Sequence, residues 1–418
     1  MRIHSAHPSS RSFWALAACA LLLCVTLAGC ASSTPASDAA GSTPGSGSTP
    51  GSGSHAATPT HAPATPPPPH ALAWFQQDSH QVGQIWASVN GGSAHQVTHM
   101  TGSTADCRYD EHWSPPVFSP DLSKIVAAWG SNDCTDGPEN GPIYIINATT
   151  GSASKVPSSN IRLSLRQTGW INNSTIWWLA PDGQHVNRYA VGDASSSAIG
   201  SLSGYAQDAV LRGNTLFFER YVSGSTFTYS LKRFDMSSHT VLAGSINLGS
   251  ASLCQCSRGD MLAPGFDASR DGSHIVYQVI TPAADPGANP EGVGSSQFFY
   301  ANADGSGASR IARVATAASF VKMQLSPNGH LVAVARAEPA PSVFTASVTS
   351  PGAYGDPNMH FYTPDSTSYP VWKYDNATFW ASTEHPDMEH FDLGVGSGTS
   401  AGSVGAADGA NPWYTIGS

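Results

Sequence analysis

The sequence predicts an all-β chain, a β-propeller of four-stranded blades, and three observations carry that expectation. Only 11% of the 418 residues are charged, less than half the usual share of a soluble domain. The chain also carries 41 Gly, 30 Pro and 11 Trp, which suits many short strands joined by turns better than helices. Finally, a hairpin cue recurs about every 50 residues along most of the chain, a spacing near that of units of four short strands.

The N-terminus comes first. Residues 1–29 have the three parts of an export signal: Arg2 and Arg11 charge the leading region, and Phe13 to Leu27 is an apolar run of about fifteen residues, short for a bilayer span. The run ends in Leu27-Ala28-Gly29-Cys30, which resembles the bacterial lipobox. The resemblance implies that Cys30 becomes the lipidated first residue, because only a thiol can take the diacylglycerol. An ordinary signal with an incidental Cys is the alternative. Acyl chains would make membrane lipid a partner and hold the chain outside the cytoplasm on a bacterial cell membrane, each buried CH₂ contributing roughly 0.8 kcal/mol.

Residues 31–70 contain no Leu, Ile, Val or aromatic residue and one formal charge, Asp38. Such a segment cannot bury enough apolar surface to offset the entropy of ordering, so 30–70 is expected to be a disordered tether. Its r.m.s. reach is roughly 35 Å at about 5–6 Å × √n. The folded domain is expected over 71–418, beginning near Ala71.

Within that domain the first cue is a small or polar turn leading into β-branched and aromatic residues. It runs at 118–129, 170–178, 210–218, 266–277, 325–334 and 372–380. The Asn-Gly and Asp-Gly pairs favour φ > 0 and predict tight type I′ turns. The second cue, a strand ending in another turn, runs at 85–92, 143–147, 187–191, 231–235, 297–305, 360–362 and 390–393. A lone strand, Ala71-Leu-Ala-Trp-Phe75, precedes them directly after the tether, so the first unit lacks its innermost strand. Trp413-Tyr-Thr-Ile416 is expected to complete that unit and close the ring. Seven blades fit the count, with six as the alternative. Large inserts at 130–142, 281–296 and 337–358 are expected to join second to third strands on one face.

Phe118-Ser-Pro-Asp and Leu325-Ser-Pro-Asn-Gly, each followed by an apolar strand, together with Asn302-Ala-Asp-Gly305, resemble the TolB-type WD40-like repeat of secreted bacterial propellers. The resemblance covers roughly 71–395. The third and fourth units depart from it, with Ile-Asn-Asn and Leu-Arg-Gly in place of Ser-Pro-Asp. It implies architecture, and functions that are diverse and mostly binding.

In a propeller, the connections between units and the second-to-third strand connections emerge together. Cys107 and Cys134 are therefore expected to be neighbours, and export favours a disulfide. Cys254 and Cys256 are expected to bridge each other despite the small loop. A zinc reading of that pair lacks a second pair of ligands. The same face collects Asp110, Glu111 and His112 ahead of the second unit, Asp133 and Asp136 in its loop, and His385, Asp387 and His390 in the last unit. Carboxylates suit calcium, and imidazoles suit another divalent metal, so these eight are the candidate metal or ligand residues. A solvated acidic rim and contact with a cationic ligand are the alternatives. Trp113, beside His112, is read as a face-loop residue whose role is packing or stacking.

No catalytic residue is assigned. Gly398-Thr-Ser-Ala-Gly402 fits the Gly-x-Ser-x-Gly pattern of serine hydrolases, but no His follows Ser400. A net charge of −10 argues against a nucleic-acid partner. The functional expectation is a monomeric, lipid-anchored propeller that binds an envelope protein, peptide or glycan on its loop face. The competing expectation is a metal-dependent lyase or glycan hydrolase using the acidic and His-bearing loops.

Overall fold

A computed structural model describes residues 70–77, 82–90, 92–101, 112–130, 140–163, 166–224, 226–252, 264–284, 293–314, 321–336 and 342–348. From 371 to 416 it describes five short stretches, through their backbone pairing alone. All regular structure among the described residues is β-strand.

The strands come as antiparallel meanders. β1 (Ala71–Gln77), β2 (Gly83–Val89) and β3 (His95–Gln96) form the first. In the second, β4 (His112–Trp113) and β5 (Val117–Phe118) both pair with β6 (Lys124–Gly130). β7 (Asn140–Gly141) precedes β8 (Ile143–Asn147), and β9 (Ala153–Lys155) completes the sheet, while β10 (Ile161–Arg162) pairs back onto β7. β11 (Thr168–Asn172), β12 (Thr175–Leu179), β13 (His185–Ala190) and β14 (Ser197–Ser201) follow in simple order. Next come β15 (Ala206–Arg212), β16 (Thr215–Val222) and β17 (Thr226–Asp235), whose outer partner is divided between β18 (Thr240–Val241) and β19 (Ile246–Ser252).

β20 (Phe266–Ala268), β21 (His274–Pro282), β22 (Val293–Asn302) and β23 (Ser309–Val314) make the following meander. β24 (Lys322–Leu325), β25 (Leu331–Arg336) and β26 (Ser342–Ser347) make another. The last comprises β27 (Val371–Trp372), β28 (Thr378–Ser382), β29 (Met388–Asp392) and β30 (Ser400–Ser403). β31 (Thr415–Ile416) then returns to pair with β1, Ile416 opposite Leu72. The leading strands touch in a closed cycle: β5 against β11, then β15, β20, β24, β27, β31 and back to β5. This is the radial plan of a β-propeller.

The core lies between meanders rather than inside any one of them. Consecutive residues of a strand face opposite sides, so each second strand serves two interfaces. Ile125 and Ala127 pack toward Ile85 and Ala87, while Val126 and Ala128 pack toward Trp170, Ile176 and Trp178. Trp177 and Phe218 share one cluster, Phe217 and Ile275 the next, and Val276 and Phe298 the one after. Burial on both faces explains the unbroken apolar runs of β6, β12, β16 and β21. Each fully buried side chain of this size contributes about 1.5–3 kcal/mol. Two indoles add directed ties: Trp113 Nε1 donates to the Gly83 carbonyl at 2.9 Å, and Trp170 Nε1 to that of Val117 at 2.9 Å.

Short hairpins close one end of the strands, and side chains satisfy them locally. In the Ser119, Ser269 and Ser326 turns, the hydroxyl donates to the Asp121, Asp271 or Asn328 oxygen at 2.6–2.7 Å. The same hydroxyl accepts the amide of Lys124, His274 or Leu331 at 2.9–3.0 Å. A single left-handed residue completes each turn: Leu122 (φ 61°), Gly272 (φ 71°) or Gly329 (φ 72°). The type I′ expectation is corrected here, since that turn needs two such residues. The serine network stabilises the longer loop instead. Neighbouring turns join at the same end, as where the Ala148 amide donates to the Ser123 carbonyl at 3.0 Å and that of Ala303 to Ser273 at 2.8 Å.

The connections between β3 and β4, β6 and β7, and β19 and β20 join strand ends at the opposite end. One of the expected inserts is corrected. The partner of β25 is β26, with Val334 opposite Phe344, so the second-to-third strand connection there is 337–341 rather than 337–358. Residues 360–362, taken from sequence as that third strand, lie outside the described residues.

Candidate functional site

The leading strands gather charged groups that sequence patterning does not single out. Arg166 precedes β11, Asp208 lies in β15, Asp267 in β20, and Lys322 opens β24. These are four consecutive meanders. Arg166 Nη2 and Nε contact Asp208 Oδ2 at 2.6 and 3.2 Å, and the Arg166 amide donates to Oδ1 at 2.9 Å. Nη2 also donates to the Phe266 carbonyl at 2.7 Å, with the guanidinium carbon 4.8 Å from the Phe266 ring centre.

Asp267, only 1% exposed, is the node of the cluster. Its Oδ1 accepts from Arg166 Nη1 at 3.4 Å and from Arg212 Nη2 at 3.1 Å. Oδ2 accepts the Leu325 amide at 2.9 Å. One carboxylate thus joins residues of four successive meanders. Breaking such a buried pair by removing one partner costs about 3–5 kcal/mol, because the other charge is left uncompensated.

Glu219 stands beside this network. It lies on β16 at a bulge: Ala206 pairs with Arg220 and Ala209 with Phe218, so Gln207 and Asp208 together oppose Glu219. Glu219 is 0% exposed, and neither carboxyl oxygen has a hydrogen-bond partner. Burial, reinforced by the Asp208 charge, pushes its pKa well above the ordinary carboxyl range. Gln207 is equally buried, and both polar atoms of its side chain lack partners. Lys322 is brought down to about 8, first by desolvation, with Arg166 adding to the fall and Asp208 opposing it. The arrangement stores a neutral acid and paired charges inside the ring. Its chemistry is that of a clamp between blades, since the acid is sealed from solvent.

The structure leaves most of the expected site residues unplaced. Cys30, Cys107, Asp110, Glu111, Asp133, Cys134, Asp136, Cys254, Cys256, His385 and Asp387 lie outside the described residues. His112 stands in β4 opposite Gly130, and His390 in β29 opposite Trp380, each placed by backbone alone. Trp113 is fully buried in β4 rather than in a face loop, so packing is its role. Among the described residues, no group of three or more His, Cys, Asp or Glu could hold a metal ion.

A signal for the clamp does exist in the sequence. In a chain with 11% charge, Asp208 precedes the apolar Ala209–Leu211 and Asp267 interrupts the otherwise apolar Phe266–Ala268. Buried charges of this kind are retained only with partners.

No family model matches the chain, and no characterised protein matches it in sequence. Solved structures do match in fold. A proposed 6-phosphogluconolactonase of Bacteroides fragilis superposes with a TM-score of 0.51 at 10% identity, covering 83% of this chain and 98% of that one. An oligogalacturonate lyase in complex with manganese gives 0.47 at 12% identity, over 79% and 83% of the two chains. TolB from Acinetobacter baumannii gives 0.38 at 12%, over 77% and 61%. Likeness at such identities speaks to architecture alone, and the meanders, the closed cycle of leading strands and the first of these superpositions agree on it. The chain is a β-propeller.

Proposed function

We propose that the chain is a lipid-anchored, extracytoplasmic binding module: Cys30 in the membrane, residues 31–70 as tether, and a seven-bladed propeller presenting its long connections to an envelope partner. The observation that carries this reading is the asymmetry of the strand ends. Hairpins held by their own serine, Asp and Asn side chains occupy one end, and the extended connections leave from the other. Rigid scaffolds that concentrate long loops at one end are built for recognition. The lipobox and the TolB-type repeat read from the sequence support the anchored location and the family of binding propellers.

The test is cross-linking in intact cells from positions in 131–139 and 285–292, with the natural chain and Cys30→Ser compared. The natural chain is expected in the membrane fraction, cross-linked to one discrete envelope component. Cys30→Ser is expected in the soluble fraction. A soluble natural chain overturns the anchor. Absence of a discrete adduct, together with turnover of an envelope glycan that EDTA abolishes, overturns binding in favour of a metal-dependent enzyme.

A further inference from the structure

Among the described residues nothing holds the carboxyl of Glu219. Neither of its oxygens has a hydrogen-bond partner, and at 0% exposure it has no solvent either. A carboxylate in such a seat would lack both donors and water, so the closed seat admits the group only with its proton. The bulge sets what stands around it. Gln207 and Asp208 together oppose Glu219, which places its carboxyl beside the Asp208 charge. Gln207, equally buried and also without partners, gives it no anchor.

The charged groups around Glu219 are directed at one another. Arg166, ahead of β11, reaches Asp208 at 2.6 Å, the Phe266 carbonyl at 2.7 Å and Asp267 at 3.4 Å. Arg212 Nη2 donates to Asp267 at 3.1 Å. Lys322, on β24, acts on Glu219 through its charge, favouring the ionised form as Arg166 does, while Asp208 opposes it. From β17, Leu231 stands opposite Glu219, and Tyr229 and the Tyr277 of β21 lie in the same apolar cluster. Phenols ordinarily ionise near pH 10, well above the range concerned here. Arg220, next in chain, faces the other side of the strand, against Gly204.

We propose that Glu219 is a proton-operated latch on the clamp: with its proton the seam between the β15–β17 and β20–β23 meanders stays shut, and loss of that proton opens the seam. The proton passes to solvent as the seam opens. The carboxylate left behind competes with Asp208 and Asp267 for Arg166, and the Arg166–Asp267 contact, the longest of the set, yields first. The shut form keeps its proton above the ordinary carboxyl value of 4.5 and the open form releases it, so the open fraction grows as pH rises from there. The latch is independent of what the long connections bind.

The test is hydrogen–deuterium exchange of the full chain, resolved to single amides, near pH 5, 6 and 7. Lys322, brought down to about 8, keeps its charge over that range. Two amides report the clamp: that of Leu325, which donates to Asp267 Oδ2 at 2.9 Å, and that of Arg166, which donates to Asp208 Oδ1 at 2.9 Å. The Ile85 amide, bonded to Thr98 Oγ1 at 2.8 Å in the first meander, is the reference. Each rate is divided by that of Glu219→Gln, which shares the intrinsic chemistry of those amides but has no proton to lose. The ratio at Leu325 and Arg166 is expected to rise by up to about tenfold per pH unit, with that at Ile85 constant. Glu219→Met, equally unable to ionise, should give the same reference rates and serves if Glu219→Gln folds poorly. A ratio at Leu325 and Arg166 that does not change with pH overturns the latch. So does a rise at Ile85 in step with them, which would mean that the whole ring loosens rather than the seam.

Discussion

Glu219 and the turn aspartates respond to protons with opposite sign, and both signs follow from local structure. Asp121, Asp235 and Asp271 each accept a serine hydroxyl, the largest cause holding them at about 2. Hydrogen bonds to the charged form are present above the ordinary carboxyl value near 3.8 and are lost as pH falls through it toward about 2. These three sites therefore favour the fold everywhere except in strong acid. In Glu219 the folded pKa is raised, so the native state keeps a proton that the unfolded chain releases above about 4.5. Stability attributable to Glu219 must fall as pH rises from there. Glu219→Gln removes that slope while keeping the shape. Its melting temperature should match the natural chain near pH 4.5 and exceed it near pH 7.5. Lys322, brought down to about 8, is present in both chains, so the difference between them reports Glu219. Thermal melts of both chains at the two pH values check this; a constant difference between them would mean that Glu219 does not carry the proton.

At the scale of elements, the seam between the β17 and β21 meanders depends on one glycine. β19 touches β21 through a single parallel bridge, Gly249 to Ile280. Gly249 has φ 92°, and a Cβ there would meet the Ile280 carbonyl oxygen at 1.9 Å. Gly249→Ala combines a strained backbone with a clash against main chain, so it is expected to destabilise the fold by about 2 kcal/mol or more. Exchange of the Ile280 amide region with deuterium should quicken in this variant before the rest of the sheet does. A loss below about 0.5 kcal/mol in denaturant melts would show that the bridge is dispensable.

Such seams mark the limit of sequence reading. The second strands were legible because burial on both faces forces long apolar runs, as in Thr175–Leu179 and Leu216–Phe218. The third strand at Ser342–Ser347 was not, because its Ser and Thr content resembles that of a loop and its identity comes from pairing with Leu331–Arg336. The pairing within the clamp was illegible for a related reason, although its two buried aspartates adjoin or interrupt apolar stretches. Arg166 and Asp267 are 101 positions apart, and only ring geometry makes them neighbours. The disulfide candidates and all the metal candidates but His112 and His390 lie outside the described residues.

The whole molecule has two devices against opening, and they act at different places. The clamp ties residues of four successive meanders through Asp267. The other device is the pairing of β31 with β1, which brings together strands more than 340 positions apart. A ring has no free inner edge only while that pairing holds; without it β1 exposes a row of unpaired backbone groups. Deleting residues 404–418 removes β31 and leaves the clamp untouched. The hydrophobic clusters between meanders are also untouched by that deletion, so the truncated chain should still collapse and keep its strand content. What it should lose is cooperativity. The first and last meanders are expected to unfold in a separate, earlier transition, while the β11–β24 region melts near the natural temperature because Asp267 still holds it. A second transition in calorimetry of the truncated chain, absent from the natural one, is the expected outcome. A single unshifted transition would mean that packing between meanders closes the ring without β31. A single transition shifted far downward would mean that the clamp cannot hold the remaining meanders together once the ring is open.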